Sequence, residues 1–316
     1  MSLAFIFPGQ GSQAMGMGKA LADASPAARA VFAEVDEALG QKLSKLMWEG
    51  PEADLTLTEN AQPALMAVSL AVMRVLEAEH GVKLQDVAKF VAGHSLGEYS
   101  ALAAAGTFSL ADAARLLKVR GRAMQTATPV GTGAMAALLG LDYADTAAIA
   151  EAAAQNEICQ AANDNAPGQV VVSGHKAAVE RAVVLAKEKG AKRAVMLAVS
   201  APFHCALMQP AAEVMAKALA NTPMRPPIVP VITNVLAAPL NDPVEIRKAL
   251  VAQVTGTIRW RESMAFMAAQ GVKLFCEVGS GKVLSGLVKR TAPEALGLAL
   301  GTPEDIAKGV AQLKQG

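Results

Sequence analysis

The sequence predicts an α/β protein: a mostly parallel sheet with helices on both faces, and a smaller subdomain inserted into it. Three observations carry this. Short apolar runs alternate with stretches of helical periodicity along most of the 316 residues, the pattern of parallel strands buried on both sides. A glycine-flanked serine, in Gly93-His94-Ser95-Leu96-Gly97, sits where one apolar run ends and a helical stretch begins. Residues of about 130 to 198 break the rhythm with the order β, α, β, β, α, β.

Strands are expected at about 3–7, 89–93, 195–199, 228–233, 273–278 and 296–300. "SPAARAVFAEVDEALG" is a helix by spacing, capped by Ser25. His80 closes another helix before Gly81, where a cation suits the helix dipole. In the irregular stretch, "GAMAALLGL", an alanine-rich helix from Asp145, "CQAANDN", "QVVVSGH", the helix "KAAVERAVVLAKEKG" and "KRAVMLAVS" follow the split βαβ order of ferredoxin-like folds. Its centre, "NDNAPGQ", is read as a turn between antiparallel strands. The chain then divides into a core of residues 1–129 and 199–316 and an insert of 130–198. The last helix, "TPEDIAKGVAQLKQ", opens on an N-cap, Thr302, followed by a proline.

Composition narrows the function. With 53% hydrophobic and 18% charged residues the chain buries a full core. A net charge of +1 and 4% aromatic residues offer neither the basic field nor the stacking side chains that nucleic acid calls for. Cys159, Cys205 and Cys276 are far apart and odd in number, which fits neither a disulfide framework nor a metal site. No apolar run is read as approaching the ~18 residues that cross a bilayer, and "MSLAFIFPGQ" enters the first strand without a cleavable leader. The expectation is a cytoplasmic monomer with no membrane, nucleic-acid or metal partner.

Gly-x-Ser-x-Gly between a strand and a helix is the nucleophile elbow, which lifts Ser95 out of the sheet edge. The next backbone N–H, that of Leu96, then points at an oxyanion formed on an acyl group at Ser95. A serine nucleophile needs a base, and the chain has four histidines. His80 is structural, His175 ends a subdomain strand, and His94 is too close in sequence for its ring to meet the neighbouring hydroxyl. His204, in "VSAPFHCALM" just past a strand end, is the best base. The order suits an α/β-hydrolase, whose acid lies between the two, yet none of Asp112, Asp142, Asp145, Glu151, Asp164 and Glu180 convinces. A Ser-His dyad oriented by an uncharged group follows.

In "FSLADAARLLKVRGRAMQ", Leu110, Ala113, Leu117 and Met124 keep a three-to-four spacing and Arg120 falls on their stripe, while Arg115, Lys118 and Arg122 face the other way. An inward arginine requires an anion, either a buried structural carboxylate or a substrate carboxylate or phosphate. The opening "LAFIFPGQGSQAMGMG" raises a rival reading, since Gly9-x-Gly11-x-x-Ala14 after a strand resembles the dinucleotide fingerprint. That fingerprint needs a second strand ending in an acid about 20 residues on, where this chain has a helix. The loop's other use is to donate backbone N–H groups to an oxyanion.

Taken in order, "FIFPGQGSQ", "ENAQPAL", "GHSLGEYSAL", "VRGRAMQ", "NAPGQVVVSG", "SAPFHCALM" and "EVGSGKVLSGLVKR" resemble the malonyl-CoA:acyl carrier protein transacylase family of bacterial type II fatty-acid synthesis over nearly the whole chain. The resemblance implies a hydrolase-like, mostly parallel sheet core with an inserted ferredoxin-like subdomain. It implies ping-pong transfer in which Ser95 attacks malonyl-CoA with His204 as base and the phosphopantetheine thiol of acyl carrier protein collects the malonyl group, with no cofactor. By the same resemblance Arg120 pairs with the malonyl carboxylate, and Gln10 gives the second oxyanion N–H beside that of Leu96. Gln253 orients the histidine through its backbone carbonyl, and Gln62 and Asn163 line the pocket. Phe203 before the histidine fits malonyl-type rather than methylmalonyl-type members. A stand-alone transferase of a polyketide pathway and a serine esterase or thioesterase are the alternatives. Lys189, Lys192, Arg193, Lys282, Lys289 and Arg290 are candidates to face an acidic carrier or are ordinary solvated side chains.

Overall fold

The computed structural model describes residues 2–199 and 201–314. Met1, Ser200, Gln315 and Gly316 lie outside the described residues, and with them the ends of the segments expected at "KRAVMLAVS" and "TPEDIAKGVAQLKQ". In chain order the strands are β1 Leu3–Phe7, β2 Ala88–Gly93, β3 Gly133–Leu139, β4 Cys159–Ala166, β5 Gln169–His175, β6 Arg193–Met196, β7 Val231–Ile232, β8 Pro239–Leu240, β9 Leu274–Val278 and β10 Leu296–Leu300. Six of them form one sheet in the order β10-β9-β1-β2-β7-β8. Neighbours there are parallel except β7 and β8. Every residue of β1 and β9 is buried, as strands covered by helices on both faces must be.

The other four strands make an antiparallel sheet in the order β4-β5-β3-β6, with helices Tyr143–Ala154 and Lys176–Glu188 between them. That is the βαββαβ arrangement read from the sequence. Four boundaries differ from expectation, each for a physical reason. The strand expected at 195–199 is β6, shifted to 193–196 and paired with β3 in the small sheet. The strand expected at 228–233 shrinks to β7, because Pro226, Pro227 and Pro230 have no N–H to give a ladder. The helix expected from Asp145 begins at Tyr143, since Asp142 caps it by accepting Asp145 N–H at 2.8 Å. Most of "NDNAPGQ" is strand and only Pro167 and Gly168 turn, with Gly168 at φ 67°.

The last difference is tertiary in origin. Asp164 N–H donates to Ile258 O at 2.9 Å and Ile258 N–H to Ala162 O at 2.8 Å, so the core claims backbone groups that a turn would leave free. The Asp164 carboxylate, almost fully buried, pairs with Arg261 at 2.8 Å. These contacts fix β4 of the insert against the core and turn its asparagines toward the end of the large sheet.

Helix Thr58–His80 also corrects the sequence reading. It has 23 residues, and an 18-residue window of it, with a mean hydropathy of 1.3, is long and apolar enough to cross a membrane; 78% of that window is buried inside the protein, where the helix packs on helices Pro26–Leu39 and Leu110–Thr126. It is a core helix here. Ser25 and Thr302 cap their helices as read, accepting Ala28 N–H and Asp305 N–H.

The close approach of β2 to the helix that follows it supplies a test. A Cβ on Gly93 would stand 1.9 Å from Gly97 C and O, whereas one on Gly286, in helix Val283–Thr291, would meet nothing within 4 Å. Gly93→Ala is expected to destabilise by roughly 3 kcal/mol or more. Gly286→Ala is expected to stabilise by about 0.5 kcal/mol. Thermal unfolding of the two variants checks both signs.

Candidate active site

The site is assembled at the carboxyl ends of β1, β2 and β7, where loops of an open α/β sheet converge. Ser95 follows β2 with φ 54°, a left-handed conformation that costs a serine about 1 kcal/mol. Three hydrogen bonds hold it there. His94 N–H donates to Phe7 O at 3.0 Å, Ser95 N–H to Asn234 Oδ1 at 2.8 Å, and Asn234 Nδ2 to Gly93 O at 2.7 Å. Gly97 lies against β1 so closely that a Cβ would stand 2.3 Å from Phe7 O. The elbow needs glycine at both flanks for packing, not only for its turn.

His204, also left-handed at φ 59°, brings Nε2 to 2.8 Å from Ser95 Oγ and Nδ1 to 2.9 Å from Gln253 O. A backbone carbonyl can only accept, so Nδ1 carries the proton and Nε2 is left to accept from the serine. Burial, together with the Arg120 charge, holds the imidazole pKa down to about 3, against the small opposing pull of the Gln253 carbonyl. His204 is therefore neutral at neutral pH, with Nε2 free to accept a proton from Ser95. The acids weighed in the sequence stand elsewhere. Asp112 accepts the Ser109 hydroxyl in the first turn of its helix, Asp142 caps a helix, Asp164 pairs with Arg261, and Asp145, Glu151 and Glu180 are exposed.

Arg120 sits on helix Leu110–Thr126 beside buried Ala113, Leu117 and Met124, and is itself 1% exposed. Its Nη1 donates to Gln62 Oε1 at 2.9 Å, and its Nη2 to Gln253 Oε1 at 2.8 Å and Ser95 Oγ at 3.1 Å. The guanidinium also lies 5.5 Å from the centre of the Tyr99 ring. Among the described residues no carboxylate forms an ion pair with it, and Nε has no partner. A buried cation held by amides and a hydroxyl, with one N–H still unpartnered, is set to receive an anion. Arg122, by contrast, pairs outside with Glu59 at 3.0 Å.

A cavity of about 370 Å³ opens over these groups. Ser95, His204, Arg120, Gln10, Gln62 and Asn163 line it. Gln10 is in the loop after β1, its side chain donating to Thr58 Oγ1 at 3.2 Å. Leu96 and Gln253 do not line the cavity: Leu96 caps the serine helix, and Gln253 is buried behind Arg120 and His204. Among the described residues neither Leu96 N–H nor Gln10 N–H has a protein acceptor. Phe203 forms part of the wall. The remaining histidines are occupied. His94 Nε2 bonds Asn165 Oδ1 at 2.8 Å with its ring 5.6 Å from that of Trp260, His175 Nδ1 accepts Ile158 N–H at 2.9 Å, and His80 ends its helix. The glycines after β1 lead into helices Lys19–Ala24 and Pro26–Leu39, so the dinucleotide unit is absent there.

Two residues of the site escaped the sequence reading, Glu98 and Asn234. Glu98 accepts Asn234 N–H at 3.0 Å and Gln253 Nε2 at 2.8 Å with no exposure at all. A signal existed for it: an acid within "LGEYSALAAAG", a helix otherwise of small and apolar residues. Asn234 closes "VITN" at a strand end and carried no such mark.

The acyl transferase domain family matches residues 4–307. Malonyl CoA-acyl carrier protein transacylase of Escherichia coli strain K12 is 47% identical over 304 residues, 96% of this chain and 97% of that one. The crystal structure of acyl-carrier-protein-S-malonyltransferase from Bartonella henselae superposes with a TM-score of 0.97 at 57% identity, covering 99% of this chain and all of the other. A malonyl-transacylase solved in complex with a type II PKS acyl-carrier protein gives 0.95 at 43% identity, over 99% of this chain and all of that one.

The depressed imidazole pKa sets a pH expectation. A base whose pKa is lowered stays deprotonated as pH falls, so labelling of Ser95 by a neutral serine-directed phosphonate is expected to hold nearly constant from about pH 7.5 to about pH 5. Labelling rates followed by intact mass would instead show a roughly thirtyfold loss over that range if His204 titrated like an ordinary histidine.

Proposed function

The chain belongs to the malonyl-CoA:acyl carrier protein transacylase family, and from that premise we propose that Ser95 carries malonyl from coenzyme A to the phosphopantetheine thiol of acyl carrier protein in fatty-acid biosynthesis. The observation that carries this reading is the buried Arg120, hydrogen-bonded to the nucleophile's own oxygen at 3.1 Å. One methylene separates the thioester carbonyl of malonyl-CoA from its carboxylate. A carbonyl at Ser95 therefore brings that carboxylate within reach of the guanidinium, whose two-pronged donors match it.

In the first half-reaction Ser95 Oγ gives its proton to His204 Nε2 and attacks the thioester carbon. Leu96 and Gln10 N–H groups receive the oxyanion. Collapse breaks the C–S bond, and the imidazolium returns its proton to the coenzyme A thiolate. The second half-reaction runs these steps in reverse with the carrier's thiol as nucleophile. Gln253 O stabilises the imidazolium as a neutral acceptor where a triad would use a carboxylate, and Gln62 and Asn163 complete the acyl pocket. Docking of the malonyl carboxylate on Arg120 offsets part of the field that depresses His204, so the substrate itself makes the base stronger.

Coenzyme A enters as substrate, and the reaction calls on no metal or cofactor. We place the enzyme in the cytoplasm as a monomer, with residues 1–129 and 199–316 as catalytic core and 130–198 as insert. Helix Val283–Thr291 borders the cavity through Val283, Leu284 and Leu287, so Lys282 at its N-cap and Lys289 and Arg290 in its last turn are the basic groups best placed to meet an acidic carrier.

Ser95→Ala is expected to abolish the malonyl adduct seen by intact mass, and His204→Ala to slow both half-reactions by roughly 10²-fold or more. Arg120→Ala should lower kcat/KM for malonyl-CoA by roughly 10²-fold or more, about 3 kcal/mol, with acetyl transfer unchanged or improved. Arg120→Lys should restore little. The comparison is malonyl against acetyl adduct formation, with Arg122→Ala as control; equal losses for both acyl groups would reduce Arg120 to a support of the fold.

A further inference from the structure

Glu98 stands one turn beyond the nucleophile and touches neither substrate space nor solvent. Its Oε2 accepts Asn234 N–H at 3.0 Å and Gln253 Nε2 at 2.8 Å, while Oε1 is buried with no partner among the described residues. Both donors belong to residues that hold the reacting groups. Asn234 Oδ1 receives Ser95 N–H at 2.8 Å. Gln253 meets three of them: Oε1 accepts from Arg120 Nη2 at 2.8 Å, the backbone O accepts from His204 Nδ1 at 2.9 Å, and Nε2 also donates to Ser95 O at 2.9 Å.

An amide has two faces alike in shape and opposite in hydrogen bonding. Turned over, Gln253 would set its NH2 against the Arg120 guanidinium and its oxygen against both Glu98 Oε2 and Ser95 O. Nε2 also donates to Asn234 Oδ1 at 3.2 Å, and of its three acceptors Glu98 Oε2 is the nearest, so it weighs most in which way the amide faces. We propose that Glu98 is a positioning residue for the acyl transfer: its Oε2 anchors the Gln253 side chain, and with it the residue whose amide oxygen holds Arg120 and whose backbone carbonyl receives His204 Nδ1–H. This rests on the transacylase reading above and adds a residue to it.

The role belongs to the acceptor and not to the charge. Burial pushes the Glu98 carboxyl up to about 7, against the lowering effect of Asn234 N–H, Gln253 and Arg120. A proton taken up there belongs on the unpartnered Oε1, leaving Oε2 to accept in either state. Glutamine at this position, carbonyl at Oε2 and NH2 at Oε1, has the layout of the protonated acid.

The test compares Glu98→Ala, Glu98→Gln, Gln253→Ala and the Glu98→Ala/Gln253→Ala pair. Two rates are read, phosphonate labelling of Ser95 and formation of malonyl and acetyl adducts, each per folded molecule as fixed by thermal unfolding. Glu98→Ala is expected to slow labelling and both acylations by roughly tenfold or more. Glu98→Gln should return to within about threefold of the starting enzyme, and the double variant should be no slower than Gln253→Ala alone. Should Glu98→Ala not fold, Glu98→Met, which fills the volume without an acceptor, takes its place. The proposal is overturned if the alanine variant is as fast per folded molecule as the parent, if glutamine is as slow as alanine, or if the two losses add. A parent enzyme that labels at Ser95 yet passes no malonyl to a carrier would sink the transacylase reading, while the labelling rates still decide on Glu98.

Discussion

A guanidinium held out of water beside a serine hydroxyl is the constraint on which the rest of the site depends. Removing a charge from water is costly, and here no carboxylate in ion-pair contact offsets it among the described residues. The offset comes instead from spread-out neutral partners: the amide oxygens of Gln62 and Gln253, the Ser95 hydroxyl and the face of Tyr99. Such partners satisfy the cation without quenching its field. In the proposed reaction that field selects an acyl group carrying a carboxylate, and in its absence burial, aided by the same field, keeps His204 neutral.

Two left-handed residues, Ser95 and His204, face each other at 2.8 Å, and neither conformation is one an isolated chain would favour. The surrounding packing over-determines both. Ser95 is clamped by Asn234 and by the close approach of Gly93, Gly97 and β1, and His204 by the Gln253 carbonyl. Using a carbonyl in place of an acid has a consequence for charge. The dyad stays neutral at rest, so Arg120 is not paired off by a nearby catalytic carboxylate and remains available to substrate.

The insert contributes to this arrangement through the seam at β4. Residues 162–164 exchange backbone hydrogen bonds with Ile258, and the buried Asp164 carboxylate anchors Arg261. From that seam β4 presents Asn163 to the cavity and Asn165 to His94, so a wall of the pocket comes from a sheet other than the one that holds Ser95. Sequence propensity pointed toward a turn in "NDNAPGQ". Tertiary pairing overrode it, because a strand that can hydrogen-bond on both sides gains more than a turn that leaves those groups to water.

By itself the sequence determined the alternation of buried strands and helices, the βαββαβ insert, the serine between its glycines, His204 as the histidine to set against Ser95, and the inward place of Arg120. Each is local: periodicity, a strand-turn-helix context and a helix face are properties of neighbouring residues, and they survive in a string of letters. The parts that only the tertiary structure decided are long-range. Gln253 lies 49 residues from His204 and 133 from Arg120. Glu98 meets Gln253 across 155 positions. No spacing rule joins such pairs, and the chain by itself marks Gln253 only through likeness to a family and Asn234 not at all. What brings them together is the convergence of β1, β2 and β7 at one sheet edge, where buried polar groups must find partners wherever in the chain those partners lie.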